Sequence, residues 1–299
     1  MRIVGIGEIL YDVFPDGERL GGASFNFAAH ACRLGHEVRF LSAVGEDERG
    51  RRALAEAREL GLSTEFIRVV PGVATGIVSV EVDQAGQPSF TIHRPAAYDQ
   101  LPLSEPDLDT IAGFQPDWVY YGTLHQAHPS AKAMTSRVLE ACPQARRFYD
   151  INLRRDSYSA PLVEELMLLA DVVKLNDAEA AEVGQISGVH CNTTAQFCRY
   201  WSARCGWSAV CVTLGAKGCV VLAGEDLAEV PGYSVQVQDA VGAGDAFAAA
   251  FLHGLSQGWP AAEIGDFSNR VGALVASRPG GVPNWTIEES RALARRPTA

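Results

Sequence analysis

A mostly parallel α/β sheet carrying a small β lid is the fold this sequence predicts, on three observations. Short apolar runs alternate with segments of helical periodicity over most of the 299 residues. Residues 64–93 break that rhythm: two β-type runs, 75–82 and 88–93, flank Asp83-Gln84-Ala85-Gly86-Gln87, the pattern of a hairpin with a Gly-containing loop. Polar and glycine residues gather just after successive apolar runs, where the strands of an open sheet end together and ligands bind.

Taken in order, residues 2–10 form a continuous apolar run suited to one buried parallel strand, which places Asp12 just beyond its carboxyl end. The Gly5-x-Gly7 pair lies inside that strand without a third glycine, so no dinucleotide fingerprint is present. Gly21-Gly22-Ala23-Ser24-Phe25-Asn26-Phe27 opens a helix that stops at Gly35. Asn26 in its first turn either caps locally or binds a polyhydroxylated ligand, because its amide both donates and accepts. A strand over 38–44 and a helix over 48–60 complete a βαβα start. After the hairpin, a flap able to exclude water from a site, strands recur near 118–121, 147–151, 172–175, 209–213 and 218–222. Their most polar ends are Asp150-Ile151-Asn152-Leu153-Arg154, Lys174-Leu175-Asn176-Asp177-Ala178-Glu179 and Thr213-Leu214-Gly215-Ala216-Lys217-Gly218. Ile264, Phe267, Val271 and Leu274 give the last long helix an apolar face that leaves Asn269 off it, and 294–299 is expected to fray.

The most informative stretch is Asp239-Ala240-Val241-Gly242-Ala243-Gly244-Asp245. It follows the β-branched run Tyr233-Ser234-Val235-Gln236-Val237 and opens a helix marked by Phe247, Phe251 and Leu255. The first amides of a helix lack intrahelical partners, and the glycines let a ligand approach the backbone, so an anion suits the turn. Asp245 would repel that anion unless it serves as a base for an attacking alcohol. Alternatively it is a first-turn carboxylate favoured by the helix dipole. These residues alone do not choose between the two.

A formal net charge of -11 excludes a nucleic-acid backbone as partner. No apolar run approaches the roughly 18 residues of a membrane span, and Glu8 comes too early for a signal peptide, so a cytoplasmic location is expected. Among seven cysteines, Cys191, Cys198 and Cys205 are spaced for one helix face. Seven-residue steps separate thiols by roughly 10 Å, too far to share a zinc at about 2.3 Å per sulfur. Reduced thiols are expected.

Assembled, these stretches resemble the ribokinase-like, or pfkB-type, carbohydrate kinases. The likeness rests on Gly21-Gly22-x-x-x-Asn26, Asn176-x-x-Glu179 and Gly242-Ala243-Gly244-Asp245, and it covers nearly the whole chain. Residues 7–17 and Asp150-x-Asn152-Leu153-Arg154 lean towards the fructokinases. The resemblance implies a three-layer α/β/α core over 1–11, 22–63 and 98–299, with lid segments at 12–21 and 64–97. It implies ATP-dependent phosphorylation of a sugar's primary hydroxyl, D-fructose first, with Asp245 as base and the amides of Gly242, Ala243 and Gly244 as anion hole. Asp12, Gly22, Asn26 and Arg154 would hold the sugar. Thr213, Gly215, Gly218 and Asn269 would line the nucleotide, and Asn176 with Glu179 would position Mg²⁺ through water. A K⁺-like ion would bind Asp239 and the carbonyls of Val241, Val275 and Gly280, although Ala240 replaces the family's usual threonine. Ribose, 2-keto-3-deoxygluconate or a nucleoside stacked on Phe25, Phe27, Tyr98 or Tyr121 are alternative acceptors. A catalytically silent sugar binder is the alternative of another class, and a homodimer through the exposed lid edge stays open.

Overall fold

Apolar runs buried on both faces dictate the central strands. The computed structural model describes residues 1–82 and 88–294. It begins with β1 (Arg2–Ile6), β2 (Leu10–Phe14), β3 (Gly17–Gly21), α1 (Ala23–Arg33), β4 (Glu37–Gly45), α2 (Glu48–Glu59), β5 (Ile67–Val70), β6 (Gly76–Val82) and β7 (Pro88–Ile92). The middle holds α3 (Glu105–Gly113), β8 (Trp118–Gly122), the short α4 (Thr123–Gln126), α5 (Pro129–Ala141), β9 (Arg146–Asp150), α6 (Ala160–Leu169), β10 (Val172–Asn176), α7 (Asp177–Ser187) and α8 (Thr194–Cys205). The chain closes with β11 (Ala209–Thr213), β12 (Gly218–Ala223), β13 (Asp226–Pro231), α9 (Ala243–Ser256), α10 (Ala261–Ala276) and α11 (Ile287–Ala292).

Among the described residues, a nine-stranded sheet runs β13-β12-β11-β10-β9-β8-β1-β4-β5. It is parallel from β5 to β11, and β12 and β13 are antiparallel. Successive strand residues split between two cores: Ile3, Tyr120, Phe148 and Val172 pack with α1, α9 and α10, whereas Val4, Tyr121, Tyr149 and Val173 pack with α3, α5, α6 and α8. That alternation is the strand period of two, and it yields the three-layer α/β/α arrangement.

A second sheet, ordered β3-β2-β6-β7, forms the lid. β6 and β7 pair antiparallel as the hairpin pattern predicts, while the 83–87 loop lies outside the described residues, as do 295–299. The single strand expected over 2–10 is two strands: β1 ends at Ile6 and β2 starts the lid at Leu10. The break has a tertiary cause, for a Cβ on Gly7 would lie 2.0 Å from Ser24 Oγ, and Glu8 turns inward to accept from Ser24. Asp12 therefore sits within a lid strand, not at the end of a core strand. The lid segment placed at 64–97 is also shorter, because β5 pairs with β4 and extends the large sheet. The run 233–237 forms no strand: β13 ends at Pro231, which has no N–H to continue a ladder. Cys198 and Cys205 lie in α8 but Cys191 precedes it, and all seven cysteines are free.

Candidate functional site

The site begins where α1 and α9 start. Gly22 (φ 106°) and Gly242 (φ 77°) cap the two helices, and neither cap residue has a side chain to bond the first turn; the Ser24 amide of α1 donates to Glu8 and the Ala243 amide of α9 to the Ala240 carbonyl at 3.4 Å, so the Gly244 amide is a first-turn donor of α9 left for a ligand. Gly242 is required twice over: its φ is left-handed, and a Cβ there would stand 2.2 Å from the Gly281 carbonyl oxygen. Asp245 lies in the first turn of α9, 8% exposed, and its Oδ2 accepts from Nδ2 of Asn26 at 2.8 Å. The other amide atom of Asn26, Oδ1, is buried without a partner. A buried acceptor left open beside a carboxylate is a place for a hydroxyl donor. Burial, then the nearby Asp150 carboxylate, push Asp245 up to about 6 against the pull of Lys174, Asn26 and Arg154.

Beneath this turn, Asp150 at the end of β9 is fully buried and accepts from Lys174 Nζ at 3.1 and 3.3 Å and from the Tyr120 hydroxyl at 3.3 Å. Burial raises Asp150, while Lys174 opposes the rise. Glu8, 2% exposed, accepts from the Ser24 amide and hydroxyl, and burial raises it too. Asp12 projects from β2 so that a Cβ on Gly21 would lie 2.9 Å from its Oδ2; burial pushes it up to about 6. Arg154, exposed in the segment after β9, exerts its positive charge on Glu8, Asp12, Asp150 and Asp245 alike.

The remaining expected residues are tied into the scaffold. Asn176 caps α7 and exchanges bonds with Glu179, each 2.8 Å, and the second Glu179 oxygen accepts from the Leu153 amide at 2.9 Å. Thr213 ends β11; Gly215 (φ 58°) and Gly218 (φ 110°) shape the turn into β12. Asn269 is buried in α10, not left outside, and its Nδ2 donates to the carbonyls of Val230 and Pro231 at 3.3 and 3.4 Å. Asp239 joins two loops by accepting from the amides of Val241 and Gly280, both at 3.0 Å. Val275 lies in the last turn of α10, and its carbonyl accepts from the Arg278 amide. The four aromatics considered for stacking are core: Phe25, Phe27, Tyr98 and Tyr121 are all buried, and Phe27 stacks on Tyr120 at 3.6 Å.

Four residues of the site escaped sequence reasoning as functional groups: Glu8, Asp150, Lys174 and His30. The first three carried a signal, a charge inside or ending an apolar run, because such a charge must find partners when buried. His30 carried none. It is fully buried in α1, its Nδ1 accepts from Trp285 Nε1–H at 3.1 Å, and its Nε2–H donates to the Gly281 carbonyl at 3.0 Å. Burial pushes it down to about 4, so it is a neutral clamp on the loop that packs against Gly242.

A family model described as pfkB family carbohydrate kinase matches residues 12–287. Fructokinase-1 of Oryza sativa subsp. japonica is 28% identical over 313 residues, covering 96% of this chain and 95% of that protein. Among solved structures, the fructokinase of Xylella fastidiosa with bound ATP aligns with a TM-score of 0.82 at 24% identity, covering 98% of this chain and 97% of the other. The 2-dehydro-3-deoxygluconokinase of Thermotoga maritima aligns at 0.86 and 19% identity, covering 98% and 99%.

Proposed function

Because the chain belongs to the pfkB family of carbohydrate kinases, we propose that it transfers the γ-phosphoryl group of ATP to the primary hydroxyl of a neutral sugar, D-fructose, giving fructose 6-phosphate. The observation that carries the chemistry is the Asp245 carboxylate behind an uncapped, Gly-initiated helix start, hydrogen-bonded to an Asn26 whose Oδ1 is open. Asp245 takes the proton of the attacking hydroxyl, and the amides of Gly242, Ala243 and Gly244 receive the transferred group. Asn26, Asp12, the Gly22 backbone and Arg154 hold the sugar. Thr213, Gly215, Gly218 and Asn269 lie along the nucleotide.

The preference for a neutral acceptor rests on charge. Glu8, Asp12, Asp150 and Asp245 all feel the charge of Arg154, and on this reading they lie around the sugar, with Lys174 and Arg154 the cations that lower Asp245. An acidic sugar would bring a further carboxylate into that field. A nucleoside is disfavoured because the aromatics it needs are already packed in the core. A coupled ADP-release screen of fructose, ribose, 2-keto-3-deoxygluconate, glucose and adenosine tests the assignment; a kcat/KM for 2-keto-3-deoxygluconate above that for fructose would remove it.

Both oxygens of Glu179 already accept from backbone amides, so Asn176 and Glu179 fit a Mg²⁺ ion held through water and nucleotide phosphates, not one ligated directly. Bound there, the ion supplies charge neutralisation along the phosphates. The two loops joined by Asp239 fit a K⁺ ion held mainly by the carbonyls of Val241, Val275 and Gly280, a site that the loss of a hydroxyl at Ala240 leaves with its backbone oxygens; stimulation by KCl over NaCl tests it. Among the described residues no helix is long and apolar enough to cross a membrane. The free thiols suit a cytoplasmic protein. The lid's outer strands, β3 and β7, offer edges through which a homodimer would form, which sedimentation reads directly.

A further inference from the structure

Lys174 is out of place on two counts. It occupies the middle of β10, between the fully buried Val173 and Leu175, and is itself only 5% exposed. Its ammonium also lies at the wrong end of a helix: a Cβ on Gly244, in the first turn of α9, would be 3.4 Å from Nζ. The N-terminus of a helix already carries partial positive charge, so a cation there is opposed by the dipole.

Stability does not account for this placement. Two of the three ammonium donors go to the two oxygens of Asp150, at 3.1 and 3.3 Å, and Asp150 has no solvent exposure. A buried ion pair of this kind is commonly no more stable than an apolar pair of the same volume, because both charges must leave water. The ammonium also acts on the Asp245 carboxylate of the same turn and on Glu179, and a further user of a positive charge packed against Gly244 is an anion arriving at the start of α9.

We propose that Lys174, clamped by Asp150 against Gly244, is a positioning residue for phosphoryl transfer: it seats the first turn of α9 and adds a fixed positive charge where the transferred group gathers negative charge. This rests on the reading of the α9 N-terminus as the phosphoryl site. The turn bears on the reacting group through its amides, and the ammonium strengthens their field without itself leaving Asp150. The sugar is held by Asn26 and Asp12 on other elements, so Lys174 acts on turnover and not on sugar affinity.

The test compares wild type, Lys174→Met and the double variant Asp150→Asn/Lys174→Met. Lys174→Met alone strands a buried carboxylate and is expected to lower stability; the double variant removes both charges and is expected to melt at or above wild type. In the folded double variant kcat should fall by about tenfold or more while the sugar KM stays within about threefold. Wild-type turnover in the double variant would overturn the proposal, since it would mean Lys174 only offsets the carboxylates around it. An equal loss expressed entirely as a raised sugar KM would overturn it as well. Asp245→Asn measured in the same assay separates the two ideas: wild-type turnover there would sink the phosphoryl site itself, whatever Lys174 does.

Discussion

Asn26 and Asp245 are 219 positions apart in the chain and meet through an Nδ2–H···Oδ2 bond of 2.8 Å. The bond ties one carboxylate oxygen to the Asn26 amide, whose own Oδ1 is buried without a hydrogen-bond partner. On the proposed reading, a sugar hydroxyl is received between the two residues.

Replacing Asp245 by Asn should cut kcat by about 10²-fold or more with sugar and ATP binding nearly unchanged by calorimetry. The same change should stabilise the fold. Burial holds the native carboxyl near 6, above its ordinary value of 3.8, so the folded state binds the proton more readily than the unfolded chain does. Its contribution is favourable below pH 4 and is lost as pH rises through 6. Asn escapes that loss, and the gain at pH 8 should be on the order of 1–3 kcal/mol by urea titration. It should vanish at pH 4.

The pH–rate profile follows from the same carboxyl. A base must be ionised to accept a proton, so kcat/KM should be full above about pH 7 and fall as pH drops through about 6. Asp12 is also pushed up to about 6. In Asp12→Asn the limb should therefore persist but become less steep; its displacement to 4 in wild type would count against Asp245.

Asp12 lies in β2 of the lid, and on the proposed reading it holds the sugar from there. Asp12→Ala should raise the sugar KM by about tenfold, the loss of one hydrogen bond to a charged group, with the ATP KM unchanged. Equal effects on both substrates in initial-rate kinetics would argue for a collapsed lid instead.

His30 touches nothing that reacts, yet His30→Ala strands the Gly281 carbonyl and the Trp285 indole N–H in the interior. Each orphan costs about 1–3 kcal/mol, so denaturant titration should show about 2–5 kcal/mol lost. Because Gly281 packs on both Gly242 and Asn26, kcat should fall along with stability.

The parallel core was legible because strands buried on both faces leave continuous apolar runs: β4, β8, β10 and β11 lie where those runs lie, as does the antiparallel β12. β13 went unseen and β3 entered only within the lid segment 12–21 that the resemblance implied, since Gly17–Gly21 and Asp226–Pro231 are edge strands with charged residues and carry little apolar signal. The break between β1 and β2 was hidden because Ile9 and Leu10 continue the apolar run, and what interrupts it is a contact with Ser24, which local patterning does not contain. The same holds for the site. Asn26, Asp245 and the glycines announce themselves by spacing, whereas the Asp150–Lys174 pair and the His30–Trp285 clamp exist only once distant strands and helices are brought together.

The passage of the chain into the lid and back out is made by glycines, with Gly7 packed on Ser24 and Gly22 packed on the carbonyl of Glu8. Asp12 rides on the excursion and Asn26 lies just past the return. If these two residues hold the sugar as proposed, acceptor preference is a property of the lid, the core and the joint between them. A lineage drifting towards a new sugar cannot adjust one wall at a time, and the substitutions that accompany such a shift should arise as linked sets spanning β2, the 21–22 joint and α1.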